Sequence, residues 1–141
     1  MSASSKLSTA VKALCYLSDK YPDAKSSSDI SKSIDVNASK LRKILSYLVK
    51  SGIIVSTKGK DGGFILNKKP DRIDLQEIYC SVEERKAFYL DFKNKNNSKN
   101  YKRYLNHNEF FLNLFAEIQF DIEERMKQIS LKQITEYIKE K

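Results

Sequence analysis

The chain has 141 residues, of which 40% are hydrophobic and 31% charged, and its formal net charge is +8. That is enough apolar material for one compact domain, but no apolar run approaches the ~18 residues of a membrane-spanning helix. The Ser-rich opening from Met1 to Lys6 leads into no signal-peptide core, so the expected setting is soluble and cytoplasmic, with no membrane partner. The two cysteines, Cys15 and Cys80, lie far apart in the sequence, which excludes a Cys-only zinc site within one chain and a disulfide framework and points to reduced thiols. The charge is unevenly placed. Residues 1–69 carry 13 Lys/Arg and 5 Asp/Glu, whereas residues 70–141 carry 13 of each. Such a split predicts a polyanion-binding half and a neutral half.

Leu7, Val11, Leu14 and Leu17 recur at helical spacing and predict a first helix over about 7–20. Tyr21-Pro22-Asp23 ends it, because the residue before proline is pushed out of the helical region. Ser26, Ser27 and Ser28 offer capping oxygens to a short second helix from Asp29 to about Ile34. After the tight connection Asp35-Val36-Asn37, with Asn37 as N-cap, a third helix is expected from Ala38 to Ser51. Its apolar stripe is Leu41, Ile44, Leu45 and Leu48, and Gly52 is placed to stop it in a left-handed conformation. The β-branched run Ile53 to Thr57 and the run Phe64 to Leu66 predict a hairpin, joined by a loop with Gly59, Gly62 and Gly63 and with Lys58 and Lys60 at its tip. Beyond Pro70, Asp74-Leu75-Gln76-Glu77 predicts a capped fourth helix to about Cys80.

From Glu83 to Asn106 the periodicity degrades, and the Asn/Lys-rich stretch 93–102 predicts an exposed loop or partly ordered segment. A long helix is expected over about 108–128, along which Phe111, Phe115, Ile118, Ile122 and Met126 lie, with Phe110, Leu114 and Phe120 widening the stripe. The aromatics from Phe88 to Phe120 are read as core in preference to an effector pocket, and Asp121, Glu123 and Glu124 as a solvated face. A last short helix from Ser130 is expected to bury Leu131, Ile134 and Ile138. The predicted division is 1–82, a winged helix-turn-helix; 83–106, a variable loop; and 107–141, a helical region. The fold class is mainly α with a small β-hairpin.

Helix, short helix, turn, helix and basic hairpin follow one another as in a helix-turn-helix with a wing. On the third helix the side opposite the apolar stripe carries Ser39, Lys43, Ser46 and Lys50, flanked by Lys40 and Arg42. These are hydrogen-bonding and cationic types suited to the major groove, with no acid among them. Asn37, Ser39 and Lys40 lie at the end of the helix expected to enter the groove. Lys58 and Lys60, at the wing tip, suit a phosphate or the minor groove. The expected partner is double-stranded DNA.

Lys6-Leu7-Ser8-Thr9, Leu41-Arg42-Lys43-Ile44-Leu45 and Leu48-Val49-Lys50-Ser51-Gly52-Ile53-Ile54 resemble the winged-helix regulators of the Rrf2 family. The most specific match is Gly59-Lys60-Asp61-Gly62-Gly63-Phe64-Ile65-Leu66, which resembles that family's wing signature, and Asp74-Leu75-Gln76-Glu77-Ile78 continues it. The resemblance covers residues 6–82 closely and the remainder only in plan. It implies a homodimer held by the long C-terminal helix through Phe111, Leu114, Phe115, Ile118, Ile122 and Met126, reading a pseudo-palindromic operator, as a repressor. Cluster-bearing members of the family hold iron and sulfur with three cysteines in the loop before that helix. Residues 81–107 here contain none, and thiolates are needed to hold such a cluster. No metal and no cofactor are therefore expected.

Cys15, beside the apolar stripe of the first helix, is read as a small buried hydrophobe. Cys80 is a candidate redox sensor if Arg85 and Lys86 approach it, and the expected effector is a small molecule or an oxidant. His107 is read as a surface or capping residue. No catalytic grouping emerges: there is one histidine, and the glycine-rich stretch joins two strands instead of opening a helix. The protein is expected not to be an enzyme. The alternative is an interaction module that holds an enzyme or another regulator through its aromatic C-terminal half.

Overall fold

The structure is a computed structural model that describes residues 3–83 and 101–141, with side chains from Ser5 to Glu83 and from Asn106 to Lys141. Helix α1 spans Ala3–Lys20 and α2 spans Ser27–Ile34. The Ser26 hydroxyl caps α2, accepting from the Asp29 amide at 3.1 Å. The sharp connection that follows depends on Asp35, which adopts a left-handed conformation at φ 52°. The turn is closed in both directions: the Val36 amide donates to the Ser31 carbonyl, and the Ser31 hydroxyl donates back to the Val36 carbonyl at 2.6 Å. Helix α3, Ala38–Lys50, then starts on the Asn37 side-chain oxygen, which accepts from the Ser39 and Lys40 amides. Its end is a Schellman arrangement. Gly52, at φ +80°, donates to Val49, and Ile53 donates to Leu48, satisfying carbonyls that the helix leaves open.

Strands β1, Ile54–Thr57, and β2, Gly63–Leu66, pair antiparallel with Ile54 opposite Leu66 and Thr57 opposite Gly63. A 3-10 turn at Pro70–Arg72 leads into α4, Leu75–Val82, capped by Asp74, whose carboxylate accepts from the Glu77 amide at 2.8 Å. Helix α5 spans Tyr101–Lys127 and α6 spans Leu131–Lys139. The capping box at α6 joins Ser130 and Gln133 reciprocally.

The core is assembled from α1, α2, α3, α4 and the base of the hairpin. Leu14, Leu17, Ile30, Leu41, Ile44, Leu45, Leu48, Ile53, Ile54 and Ile78 are all fully buried. Ala10 and Ala13 join them on α1, while Leu7 and Val11 are only half-buried, so the small residues make the closest approach of α1 to its neighbours. Helix α6 folds back onto this body. Leu75 donates to Ile129 at 2.8 Å and Leu131 donates to Ile73 at 2.7 Å, and the Ile73 and Leu131 side chains are wholly buried.

Three features differ from the sequence reading. Helix α5 begins at Tyr101, seven residues before the expected start at 108, and so includes the last residues of the predicted loop. Tyr101, Tyr104 and Leu105 stand at i, i+3 and i+4, a short helical spacing masked by the Asn/Lys-rich stretch before it, and a formed helix extends cheaply once nucleated. On α6 the third expected core residue, Ile138, is 56% exposed, and Thr135 is buried in its place. The last turn of α6 lies level with the end of α1, where Lys139 pairs with Asp19 at 3.0 Å, so Ile138 has little to pack against. Finally, Phe110 and Phe120 are each 61% exposed and are not core, because α5 packs chiefly on α4 and its other faces meet solvent. Phe111, 42% exposed, is likewise not core and Phe115 is half-buried, and the aromatics from Phe88 to Tyr104 lie outside the described side chains.

Because Leu131 is sealed between α6 and Ile73, Leu131→Ala is expected to lower the unfolding free energy by about 2–5 kcal/mol in a single urea transition. A loss below about 0.5 kcal/mol would show that α6 does not share the core.

Candidate nucleic-acid interface

The buried stripe of α3 sets its rotation, and every polar residue expected on the outer side is exposed: Ser39, Lys40, Arg42, Lys43, Ser46 and Lys50. Two of the expected donors are partly committed inside the protein. The Asn37 oxygen is used in capping α3, which leaves its amide nitrogen for a ligand. The Ser46 hydroxyl donates to the Lys43 carbonyl at 2.7 Å, which leaves it as an acceptor. Val49, 36% exposed, is an apolar member of this surface, a residue type that the hydrogen-bonding pattern of the sequence does not mark.

The wing is more tightly built than its glycines suggest. The Thr57 hydroxyl accepts from the Gly63 amide at 3.1 Å and lies 3.2 Å from the Gly63 carbonyl, closing the loop at its base. On its other edge β2 bridges to Lys25: the Lys25 amide donates to Phe64 at 3.0 Å and the Phe64 amide to Lys25 at 2.8 Å. A one-residue bridge from the connection between α1 and α2 leaves no alternation in sequence, which is why it was not foreseen. It explains Gly63. A Cβ there would stand 2.5 Å from the Lys25 carbonyl, at a φ of +154° that side chains rarely adopt. At Gly62 a Cβ would stand 2.6 Å from the Thr57 carbonyl oxygen.

Lys58 and Lys60 are both exposed at the tip, yet their surroundings differ. Lys60 shares a depression with Asp23, Asp29 and Asp61, so one flank of the wing is acidic and Lys58 is the better placed anion contact.

The residues expected at a dimer contact lie together on α5, but to different depths. Phe111 is 42% exposed, while Leu114, Phe115, Ile118, Ile122 and Met126 are half-buried. Phe110 stands edge-on to Phe111, which contacts Phe115. His107 is exposed. Glu123, expected on a solvated face, is instead half-buried, with its carboxylate 3.7 Å from the Cys80 sulfur, which also accepts from the Gln76 amide at 3.2 Å. A carboxylate is the reverse of the cationic setting that favours a thiolate. Arg85 and Lys86, on which the sensor reading leaned, lie outside the described residues. Cys15 is half-buried, and burial, with Asp19 adding to it, pushes its thiol up to about 11.

A helix-turn-helix closed by a two-stranded wing, with a third strand position donated by the residue ahead of α2, defines a winged-helix protein. The family model described as "Iron-dependent Transcriptional regulator", Rrf2, matches residues 3–137, and the chain belongs to the Rrf2 family. YffB of Lactococcus lactis subsp. lactis, whose name is that of an HTH-type transcriptional regulator, is 40% identical over 52 residues, which is 37% of this chain and 33% of that protein. The HTH-type transcriptional regulator IscR of Aliivibrio salmonicida is 36% identical over 56 residues, 40% of this chain and 33% of its own. These matches thus span about a third of the length of the curated relatives. The fold extends further. The IscR structure from T. potens superposes with a TM-score of 0.70 at 20% identity, over 98% of this chain and 88% of that one. CymR, the global cysteine regulator of B. subtilis, does so with a TM-score of 0.68 at 20% identity, over 97% and 96%.

The family description implies iron, and the donors present do not fit it. Residues 81–107 hold no cysteine, the chain's two cysteines, Cys15 and Cys80, fall short of the thiolates a cluster takes, and among the described residues no group of three or more His, Cys, Asp or Glu side chains converges on a metal position. Among those residues, too, no helix is long and apolar enough to cross a membrane.

The raised Cys15 thiol predicts two classes of thiol reactivity. In Cys80→Ser, alkylation of Cys15 by iodoacetamide is expected to be slow at pH 8 and to rise about tenfold per pH unit until near pH 11, since the thiolate is the nucleophile. In Cys15→Ser, the exposed Cys80 is expected to react faster at pH 8. Equal rates would refute the burial of Cys15.

Proposed function

We propose that this chain is a homodimeric, sequence-specific DNA-binding repressor, not an enzyme, that reads a pseudo-palindromic operator. The observation that carries the reading is the acid-free polar face of α3, held outward by a fully buried apolar stripe and flanked by Lys58 of the wing. A helix of this width fits the major groove. Two such helices, one from each protomer, would enter successive major grooves about 34 Å apart, with Lys58 on a phosphate or in the adjacent minor groove. Membership of a family of transcriptional regulators supports the same reading and does not favour the interaction-module alternative.

The exposed aromatic end of α5 supports the dimer. Phe110 and Phe111, 61% and 42% exposed and edge-on to one another, are adjacent apolar side chains that a lone protomer leaves in water and that a second copy would cover. Cys80, exposed on α4 with its sulfur 3.7 Å from the Glu123 carboxylate of α5, is where an oxidant would act on the contact between the reading domain and the dimer helix. If Cys80→Ser responds to oxidants as the parent does, that role is removed.

Two experiments test the proposal. Selection from a random-sequence DNA library is expected to recover an inverted repeat, and Lys43→Ala to bind it more weakly, with a smaller salt dependence because one fewer phosphate counterion is released. Recovery of no preferred sequence would sink the proposal. In sedimentation, Phe111→Asp is expected to raise the dimer dissociation constant at least about tenfold, the effect of placing a charge in an apolar contact, and an unchanged constant would place the dimer contact elsewhere.

A further inference from the structure

The exposed surface of α3 divides into two rows of different chemistry. Residues three and four apart on a helix are neighbours, so Ser39, Arg42, Ser46 and Val49 form one row and Lys40, Lys43, Tyr47 and Lys50 form the next. All are exposed except Tyr47, which is half-buried against the core. The second row presents three ammonium groups and no other polar group but a phenol. An ammonium is a point charge on a flexible stem and suits phosphate without regard to sequence. The first row presents two hydroxyls, one guanidinium and one apolar side chain, which are the types that distinguish base edges.

Arg42 is the only arginine of the interface, whose other cations are Lys40, Lys43, Lys50, Lys58 and Lys60. It lies in the second turn of α3, close to the end that enters a groove. Its neighbours along the row, Ser39 before it and Ser46 after it, are short, so nothing on the row competes with its reach. Among the described residues no side chain pairs with its guanidinium, and α3 holds no acid to draw it back along the helix. We propose that Arg42 is the residue that sets base specificity, donating its two-pronged fork to O6 and N7 of a guanine in each half-site, while Lys40, Lys43 and Lys50 hold the phosphate backbone. This assignment rests on the reading of the protein as a sequence-specific DNA binder and adds the base and the residue that reads it.

The test compares library selections for the full-length parent, Arg42→Lys and Lys50→Ala, followed by titrations of the parent's preferred duplex and of the same duplex with the guanine pair replaced, at two salt concentrations. Arg42→Lys keeps the charge and removes the fork. It is expected to select an inverted repeat that has lost its guanine at one symmetric position, and to discriminate roughly tenfold to a hundredfold less between the two duplexes, as a bidentate contact is worth. Lys50→Ala is expected to keep the parent's sequence preference, to weaken both duplexes alike and to reduce the salt slope by about one. An Arg42→Lys selection identical to the parent's, or a parent site without an invariant guanine, overturns the assignment and leaves the regulator reading standing. A parent that selects no sequence at all overturns both. Circular dichroism spectra matching the parent's confirm that the exposed substitutions leave the fold intact.

Discussion

The burial of Leu41, Ile44, Leu45 and Leu48 is the constraint on which the rest of this molecule depends. Burying each such side chain contributes about 1.5–3 kcal/mol, so turning α3 by even one residue position would exchange that gain for exposed leucine. The helix consequently has one rotation, and its outward chemistry follows from that. The wing inherits its position from the same packing, because Ile53 and Ile54, which begin it, are inserted in the same core, and Ile53 is joined to α3 through the Gly52 turn.

Helices α1, α4 and α6 keep that arrangement from relaxing. The Asp74 and Ser130 segments meet as a bridge, so the start of α4 and the start of α6 are fixed to one another, and α5 is held between the end of α4 and a helix that returns to the body. The ion pairs of this region, Lys68 with Glu77 and Lys139 with Asp19, are partly exposed. Exposed pairs contribute about 0–1 kcal/mol, and the apolar contacts of Ile73, Ile78 and Leu131 outweigh them.

Much of this was legible in the sequence, for reasons that can be named. The stripe of α3, the caps at Ser26, Asn37 and Asp74, and the left-handed stop at Gly52 are local signals that tertiary packing did not override. The hairpin could be read from its β-branched run and glycines. The signals that failed were non-local or depended on what surrounds a residue. The Lys25 bridge is a pairing between positions 39 apart, invisible until both are placed. Ile138 has the right spacing for the buried stripe of α6, but spacing does not say where the neighbouring helix ends. Phe110 and Phe120 have core chemistry on a helix with too few neighbours to bury them. On the outer side of α3 the exposure of the polar residues follows from the buried stripe, but the donation of the Ser46 hydroxyl to the Lys43 carbonyl depends on a rotamer that spacing does not specify. The acidic flank beside Lys60 is likewise not specified by spacing.

The bridge between Lys25 and Phe64 has a further consequence for how such a surface binds. It fastens the hairpin to the connection just before α2, so wing and helix-turn-helix are one body with a fixed offset between Lys58 and α3. A hairpin hinged only at its two ends would sample many orientations and lose that freedom on docking, at a cost of the order of 1 kcal/mol for each residue ordered. Here the freedom is already lost when the protein folds. On the proposed reading, a second contact with a duplex would follow the first as an intramolecular event at high effective concentration, and a duplex whose grooves lie at the wrong spacing would gain from one contact or the other but not from both.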